Sequence, residues 1–569
     1  MLFLRGILMN KFIFNQKYPF ILLFVSFIFI MPQIITKSMV IGSDAIFHFN
    51  RFFETSEQIK NGNLQYFISI YGFQQSGRIV NALYSPFVAY LNGVLVLIAD
   101  NWFTYQIITN FILYNIAGFS MYHFLRSGHV DHRKSLLGSL LYMCTFSILY
   151  WSTRQGFSSW GAAVMPMCFS LIFYVLEEKK VPTFKLGIYV ALLVQIHMLS
   201  AFITVLIFIP VFFFAFYKST SKKNFLTDLI SAIILFTLLT FNIWTAYITI
   251  ASNNILIQPF VNKTMSLNTI DKNSYYWLIN PCSLLIILIF TIIFFIKKWK
   301  HHSTESKMIF IIMMIFMLLS TSIIPWDTLI EKRFFIAELI QFPFRFFTPV
   351  TIFILYLFFK ISDFKKIAKI FVLLGILQVV ILMFVTLSAW SSNDDFILSG
   401  PKTVFKEENV KKIKKAFFSK NKGEALEVVM KSTPDYLPFY ENENFKNIHE
   451  LNAYELYKNN IINKNQYFKK SIVKSKLVVK EINFSEEFIE FPVIIYAGTR
   501  LTTMGTELAS DQYSLSVIGT PIINREYVNN NQIEIEYNNK FNDLSIYLTL
   551  IMWGIVIIIG IYVKLNYFV

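Results

Sequence analysis

The sequence predicts a polytopic α-helical membrane protein of about twelve spans, with an external α+β region of β-sandwich type near the C-terminus. Composition is the first indication, because 55% of the residues are hydrophobic and only 15% are charged, against about a quarter in soluble domains. Apolar runs of about 20 residues recur, and each is long enough to cross about 30 Å of hydrocarbon as a helix. Between residues 390 and 542 these runs give way to charged, Asn-rich sequence.

The first span follows a short basic segment that contains Arg5, Lys11 and Lys17. The apolar run 18–39 is too long for a signal-peptide core and has no small-residue cleavage site, so we predict a retained first span that anchors the chain. The remaining predicted spans lie near 102–125, 135–151, 159–176, 184–198, 200–217, 227–249, 278–296, 308–324, 346–360, 370–389 and 544–563.

The segment 84–99 decides the orientation, because it is about a turn too short for a comfortable span and contains Pro86, Asn92 and Gly93. If it does not cross, one set of loops is uniformly basic and the opposite set is poor in Lys and Arg. Basic loops lie in the cytoplasm. We therefore predict that the N- and C-termini are cytoplasmic and that residues 40–101 and 390–542 lie outside. The basic loops lie near 126–134, 177–185, 218–223, 297–307 and 360–369.

The same loops carry most of the formal net charge of +16. Their lysines and arginines are confined to the ends of predicted spans and are not interleaved with aromatic residues on one face. A nucleic-acid partner is therefore not expected, and the partner of the surface is the lipid bilayer.

The predicted organisation has three parts: a transmembrane helical domain at 1–389 with a long first outer loop at 40–101, an extracytoplasmic soluble α+β domain at 390–542, and a last span with a short inside tail at 543–569. In the outer loop, residues 48–62 predict a short amphipathic helix in the plane of the membrane interface. In the soluble part we predict helices over 406–415 and 424–431 and strands over 476–482, 488–496, 513–518 and 532–537.

Candidate functional residues begin with Asp44, His48 and Arg51, which are spaced i, i+4 and i+7 and share one face of a helix. An acid, an imidazole and a guanidinium at a membrane surface are suited to a reaction centre. Alternatively, they form the polar side of an interfacial helix. Asp44 or Ser43 is also suited to be a helix N-cap.

A second group lies in the segment Gln341-Phe-Pro-Phe-Arg345 at the outer start of a span. The Arg345 guanidinium is suited to a bidentate grip on phosphate, with Gln341 beside it; alternatively, Arg345 is a snorkelling interfacial residue. His197 falls on the same side, either as a ligand-contacting residue or as a packing residue. No residue is assigned as a metal ligand. Gly-rich phosphate loops, zinc-protease motifs and nucleophile elbows are absent from the sequence.

The pattern Gly42-Ser-Asp-x-x-x-His-x-x-Arg51, the segment Gln341–Arg345 and the run Phe491-Pro-Val-Ile-Ile-Tyr-Ala-Gly498 resemble the pyruvoyl-tetrahydropterin synthase-related family of bacterial multi-span membrane proteins. The architecture of that family resembles in turn the GT-C superfamily of lipid-linked-sugar glycosyltransferases. The resemblance covers most of the chain, although its motifs are short.

This resemblance implies an enzyme of the bacterial plasma membrane that moves a sugar from a polyprenyl-phosphate donor to a cell-envelope polymer on the outer face. Asp44 matches the acidic residue that acts as general base or metal-site acid. The leaving group is a lipid phosphate, whose charge Arg345 would stabilise with help from Arg51 or His48. The sequence has no Asp-x-Asp or Glu-x-Asp pair, so a divalent metal stays open as a cofactor.

Two other functions remain open at this stage. A transporter or flippase of lipid-linked saccharide is one, although transporters tend to carry mid-span charges and inverted repeats, and this sequence shows few such charges and no repeat. A non-catalytic membrane scaffold whose segment 390–542 binds a polymer is the other.

Overall fold

The fold is taken from a computed structural model, which describes residues 17–42, 44–361, 365–392, 402–441, 447–448, 451–482, 486–537 and 540–565. Helices dominate the chain up to residue 391, and β-strands are concentrated in the C-terminal part. The helices, numbered in chain order, are α1 (Lys17–Thr36), α2 (Ala45–Asn61), α3 (Pro86–Ile98), α4 (Trp102–Ser127), α5 (His132–Met143), α6 (Phe146–Arg154), α7 (Ser158–Glu178), α8 (Thr183–Ile196), α9 (Met198–Lys218), α10 (Lys222–Leu239), α11 (Phe241–Asn253), α12 (Tyr276–Ile279), α13 (Ser283–Lys297), α14 (Thr304–Leu319), α15 (Trp326–Glu331), α16 (Phe335–Ile340), α17 (Phe347–Ile361), α18 (Lys365–Ser391), α19 (Val410–Phe417), α20 (Gly423–Val428), α21 (Ala453–Tyr457) and α22 (Lys540–Leu565).

Seven helices of the described residues are long and apolar enough to cross a membrane, and α10 with α11, which are bent by 68°, make eight if they form one span. The protein is therefore a multi-pass membrane protein. Helices also occupy the other predicted spans, but α8 and α13 have only 14 and 15 residues. The number of twelve spans stays a prediction.

Helix α3 corresponds to the segment 84–99 that decides the orientation. Its 13 residues rise about 20 Å, which is shorter than a bilayer core. It packs closely on α2, because a Cβ on Gly93 would lie 2.4 Å from Oγ1 of Thr55, and that hydroxyl donates to the carbonyl of Ala89 at 2.8 Å. The short length agrees with a helix that does not cross.

Helix α2 lies in the first outer loop, and its position in the interface plane stays a prediction. Its polar residues are buried within the protein, among them Arg51, Glu54 and Gln58. Glu54 accepts hydrogen bonds from the backbone N–H groups of Tyr71 at 2.7 Å and Gly72 at 2.6 Å. The polar face therefore meets the rest of the loop, where buried polar groups find partners.

The C-terminal strands form three small antiparallel sheets. Their order is β1-β2 in the first, β3-β4-β10-β6-β7 in the second and β5-β9-β8 in the third. Two of the predicted strands are present as β4 and β10, whereas the predicted runs 488–496 and 513–518 are strands only in their first three residues. The strands are β1 (Thr403–Phe405), β2 (Val429–Lys431), β3 (Phe468–Val473), β4 (Lys476–Glu481), β5 (Phe488–Glu490), β6 (Thr499–Thr503), β7 (Thr506–Glu507), β8 (Tyr513–Leu515), β9 (Pro521–Asn524) and β10 (Gln532–Tyr537).

The two predicted helices of this part correspond to α19 and α20, although α20 ends at Val428 and the next three residues form β2. The strands bury alternate residues, as Ile533, Ile535 and Tyr537 of β10 show. The boundaries 389/390 and 542/543 stay predictions.

The C-terminal part is fixed to the first outer loop by polar contacts. The partly buried Lys470 donates from Nζ to the carbonyls of Gln74 at 2.7 Å and Gln75 at 3.1 Å, and at the start of α4, just after the loop, Trp102 Nε1 donates to the carbonyl of Lys422 at 2.9 Å. These contacts bring residues near 430 against the start of α2.

Candidate functional site

Asp44 immediately precedes α2, but its carboxylate does not cap the helix. The side chain makes no capping hydrogen bond, so the N-cap hypothesis is wrong for Asp44, and Ser43 lies outside the described residues. Instead, Oδ1 of Asp44 lies 3.2 Å from Nζ of Lys431 at the end of β2. About half of the Asp44 side chain, 48%, remains exposed. The carboxylate is therefore available to a ligand.

Arg51 is fully buried, and its guanidinium contacts other residues of the first outer loop. Its Nε donates to Oδ1 of Asn81 at 3.1 Å, and Nη2 donates to the carbonyl of Tyr84. The guanidinium carbon lies 4.4 Å from the centre of the Tyr84 ring. Burial lowers the pKa of Arg51 to about 10, so it still carries a positive charge near neutral pH.

His48 is also buried, with Nδ1 at 3.4 Å from Nη1 of Arg51. Burial lowers the pKa of His48 well below its usual range, and the charges of Arg51 and Lys431 act in the same direction. The imidazole is therefore neutral near pH 7. The structure brings His48 and Arg51 together, and of the three residues of the sequence pattern only Asp44 is substantially exposed.

Arg345 lies in a 3₁₀ turn (Pro343–Phe346) and is partly buried. Its Nη1 donates to the carbonyl of Ile340 at 2.7 Å and to Oε1 of Gln341 at 3.0 Å, while its Nε is buried and has no hydrogen-bond partner. Gln341 also donates to the carbonyl of Phe260 at 2.7 Å, which fixes the amide that orients the guanidinium. A buried N–H without a partner marks a place where a ligand group fits.

His197 is the C-cap of α8 and the N-cap of α9, and its Nδ1 contacts Oγ of Ser200 at 2.8 Å. It is buried, and it lines a small cavity together with Ser200, Arg345 and Thr348. The structure therefore brings His197 next to Arg345, and the His197 side chain has little contact with solvent.

Tyr84 contacts Arg51 and lies within electrostatic range of three other charged groups. Burial raises the pKa of Tyr84 to about 12, the charges of Arg51 and Arg345 act against this, and those of Asp44 and Asp435 add to it. One phenol therefore lies within electrostatic range of two carboxylates and two guanidinium groups. The polar residues of the outer loop and of the segment before α17 share one site.

The second carboxylate, Asp435, was missed by the sequence analysis. Burial raises its pKa; the charges of Arg78 and Lys431 lower it, and that of Asp44 raises it. The sequence signal is weak, since Pro434-Asp-Tyr-Leu-Pro438 indicates only a turn. Nothing in the sequence places this turn beside Asp44, because the two residues are separated by almost the whole chain.

Two lysines of the C-terminal part were missed as well. Lys431 pairs with Asp44, and Nζ of Lys402 lies 3.6 Å from the centre of the Tyr454 ring. Burial and the charge of Lys431 lower the pKa of Lys402, and the carboxylates of Asp44 and Asp435 raise it. The two lysines and the two carboxylates therefore lie within electrostatic range of one another. The site therefore has more cations than carboxylates and favours an anionic ligand.

A large apolar cavity of about 700 Å³ lies between α1, α3, α4, α7 and α8. Trp160 forms part of its wall and donates its backbone N–H to the carbonyl of Phe157 at 3.1 Å. The Phe157 ring lies 5.5 Å from that of Tyr84. The cavity wall is therefore connected to Tyr84 through Trp160 and Phe157. Its lining residues are Leu23, Phe87, Val88, Leu91, Phe111, Ile112, Asn115, Ile116, Phe119, Ser120, His123, Trp160, Val164, Met167, Tyr189, Leu192 and Ile196.

The side chains of the site do not fit a protein-bound divalent metal. Among the residues that the structure describes, no group of three or more His, Cys, Asp or Glu side chains is placed to hold a metal ion. One oxygen of the Asp44 carboxylate already pairs with Lys431, and this ammonium would repel a metal cation placed there.

No protein-family model matches the chain, and no curated protein matches its sequence. Among solved structures, the apo form of the Archaeoglobus fulgidus oligosaccharyltransferase is similar, with a TM-score of 0.41 and 13% identity over 72% of this chain and 60% of that chain. The same enzyme tethered to an acceptor peptide with the NVT sequon gives a TM-score of 0.39 and 12% identity over 76% of this chain and 62% of that chain. The chain thus spans less than two thirds of that enzyme. A likeness at these TM-scores carries no conclusion about activity.

Proposed function

We propose that the protein is a membrane glycosyltransferase that moves a sugar from a polyprenyl-phosphate donor to a cell-envelope polymer. The observation that carries the proposal is the site around Tyr84, where the exposed Asp44 carboxylate shares one neighbourhood with Arg345 and Lys431. The resemblance of its motifs to a multi-span family whose architecture is similar to GT-C glycosyltransferases agrees with it. In this proposal the membrane is a bacterial plasma membrane, both termini are cytoplasmic, and the site faces outward.

The chemistry needs a base and a group of cations. As an acceptor hydroxyl oxygen attacks the anomeric carbon, its proton passes to the Asp44 carboxylate. A new C–O bond forms, the bond from the anomeric carbon to the phosphate oxygen breaks, and its electron pair remains on the lipid phosphate. Arg345 and Lys431 stabilise that developing charge. No metal ion takes part in the proposed steps.

The other residues of the site have supporting roles in this proposal. Gln341 orients the Arg345 guanidinium through the 3.0 Å contact to Nη1. Arg51 and His48 are buried, and therefore hold the Tyr84 segment and α2 in position without touching substrate. His197 supports the small cavity beside Arg345.

The apolar cavity is suited to the lipid tail of the donor. It is lined almost entirely by apolar side chains, and its wall reaches Trp160, next to Phe157 and Tyr84. In this proposal a prenyl chain occupies the cavity and its phosphate lies at the charged site, on the Tyr84 side of Phe157. Burial of isoprene units in such a cavity is favourable by about 25 cal/mol per Å² of apolar surface.

The test is sugar transfer by the full-length protein in liposomes that contain labelled polyprenyl-phosphate sugar and envelope polymer. We expect Asp44→Asn to reduce transfer at least a hundredfold, as loss of a general base does. Arg345→Met should also reduce it. Asp511→Asn, a change at an exposed carboxylate of the C-terminal part, serves as the matched control.

Unchanged transfer in both site variants, at normal protein levels, would contradict the mechanism. Donor bound or moved across the bilayer without any transferred sugar would instead indicate a flippase. Loss of function only on removal of residues 402–537, with full function in Asp44→Asn, would indicate a polymer-binding scaffold.

A further inference from the structure

The ion pair between Asp44 and Lys431 joins two parts of the chain that are 387 residues apart. Asp44 precedes α2 in the first outer loop, and Lys431 ends β2, where it lies opposite Thr403 in the β1–β2 pair. The side chain of Lys431 is 16% exposed and that of Asp44 is 48% exposed. The pair therefore lies at the edge of the site, in reach of solvent and of a ligand.

This pair is not needed to hold the two parts together. Asp44 is half exposed, so its carboxylate is hydrated when the pair opens, whereas the mostly buried Lys431 ammonium then needs another anion. The partly buried Lys470 and the buried Arg78 already fix the C-terminal part to the outer loop, with Lys470 donating to Gln74 and Arg78 to Thr433. The Lys431 ammonium can therefore exchange Asp44 for another anion while the docking persists.

A phosphate in this neighbourhood would compete with Asp44 for Lys431. A phosphate offers several acceptor oxygens to an ammonium group, and Arg345 lies within electrostatic range of Asp44, the carboxylate with which Lys431 pairs. The lysine side chain has a flexible four-carbon stem, so its Nζ can turn from one anion to another without movement of the backbone.

We propose that Lys431 exchanges partners during the reaction, binding Asp44 before the donor arrives and the donor phosphate afterwards. The exchange releases the Asp44 carboxylate at the moment when the leaving group is in place, so that the base acts only on a complete complex. This inference rests on the proposed function, because it assumes a donor with a phosphate group.

The exchange is tested by a double-mutant cycle on phosphate binding. The probe is geranyl phosphate, a short prenyl monophosphate, titrated calorimetrically into the full-length protein in detergent. Lys431→Met should weaken binding about tenfold, which corresponds to about 1.4 kcal/mol. Asp44→Asn should strengthen it about two- to fivefold, because the competing carboxylate is gone. The double variant should bind as Lys431→Met does.

Lys464→Met is the matched control, because Lys464 pairs with Glu490 in the sheet region and lies outside the site. The Lys464→Met protein should bind geranyl phosphate with the same affinity as the unmodified protein. Thermal unfolding of each variant separates a local effect from a loss of the fold.

An Asp44→Asn protein that binds the probe no more tightly, or a Lys431→Met protein that binds it equally well, would overturn the exchange. So would an unmodified protein that does not bind the probe. Transfer activity is read separately in the same preparations. If sugar is transferred but Asp44→Asn does not strengthen probe binding, only the exchange is wrong. If the binding affinities follow the expected pattern but no sugar is transferred, only the proposed function is wrong.

Discussion

Arg78 donates a hydrogen bond from Nη2 to the backbone carbonyl of Asp435 at 2.6 Å, and one from Nη1 to the carbonyl of Thr433 at 2.6 Å. A buried guanidinium of the first outer loop therefore holds the turn that carries the second carboxylate of the site. The next residue, Tyr436, has a φ of +64°, a conformation that non-glycine residues rarely adopt. Such a backbone persists only when its surroundings determine it, and here Tyr496 donates to the Tyr436 carbonyl at 3.0 Å.

Replacing Arg78 by Met should destabilise the protein and displace the Asp435 turn. The carbonyls of Thr433 and Asp435 would lose a buried donor, which costs about 1–3 kcal/mol for each unpaired group. We expect a lower thermal unfolding temperature in detergent and a higher KM for the acceptor. Arg500→Met is the control, because Arg500 is 53% exposed in its pairs with Glu507 and Glu536. Equal stability of Arg78→Met and the unmodified protein would show that the turn does not depend on this guanidinium.

The pKa of Asp435 should respond in opposite directions to the two partners of the Asp44–Lys431 pair. Burial raises the pKa of Asp435, Lys431 lowers it and Asp44 raises it further. Asp44→Asn should therefore lower this pKa, and Lys431→Met should raise it. The carbonyl stretch of the protonated carboxyl, followed by infrared difference spectroscopy, measures both shifts, with Asp435→Asn to assign the band. Shifts of the same sign would contradict the placement of the three groups.

The raised pKa of Asp435 also has a consequence for stability, with a definite sign. Its folded-state pKa lies above the unfolded value, so the fold favours the protonated form. Stability is therefore greatest below the unfolded pKa and decreases as pH rises through the window up to the folded pKa. Asp435→Asn should remove this decrease, which thermal unfolding across that pH range would measure.

The sequence was sufficient where the signal is local. Apolar runs predict the helices, and alternating β-branched runs predict β4 and β10. The sequence was insufficient where the burial of a segment depends on contacts with residues distant in the chain. The composition of α2 is typical of an interfacial helix, but Glu54 finds the backbone N–H groups of Tyr71 and Gly72, and these contacts bury it. No local pattern reveals that loop.

The site was predictable only in part for the same reason. Asp44 and Arg345 stand in short motifs next to span ends, so position alone indicates them. Asp435 and Lys431 lie in ordinary turn and strand sequence, and only the docking of the C-terminal part brings them to Asp44. Contacts between residues so far apart in the chain do not follow from periodicity.

Filling the apolar cavity should weaken the use of long-chain donors. Val164 lines the cavity and is buried on α7, so Val164→Trp would occupy space proposed for the prenyl tail. We expect the KM for a long-chain donor to rise about tenfold, or about 1.4 kcal/mol, while that for a short-chain donor changes little. Leu373→Trp, on the 68% exposed position of α18, is the control for a lipid-facing tryptophan. An equal effect on both donor lengths would contradict the assignment of the cavity to the tail.

Gly42→Ala should displace Asp44 and reduce transfer. A Cβ on Gly42 would lie 2.0 Å from the carbonyl oxygen of Arg154 and 2.2 Å from its carbonyl carbon, so the backbone of one segment must move. Because Asp44 follows two residues later, its carboxylate would shift relative to Lys431 and Arg345, and a displacement of about 1 Å at a reacting group costs on the order of a hundredfold in rate. This close approach is a physical reason for glycine at the start of the Gly-Ser-Asp motif.

Gly560→Ala on α22 is the matched control, since a Cβ there meets no atom within 4 Å. It should leave transfer unchanged, and by helix propensity it should be neutral or slightly stabilising, by up to about 1 kcal/mol. The decisive readout is kcat for sugar transfer together with the Kd for geranyl phosphate. Gly42→Ala should lower kcat far more than it weakens phosphate binding, because Arg345 does not depend on the Gly42 backbone. If kcat for Gly42→Ala matched that for Gly560→Ala, the position of Asp44 would not be critical, and its role as the base would be wrong.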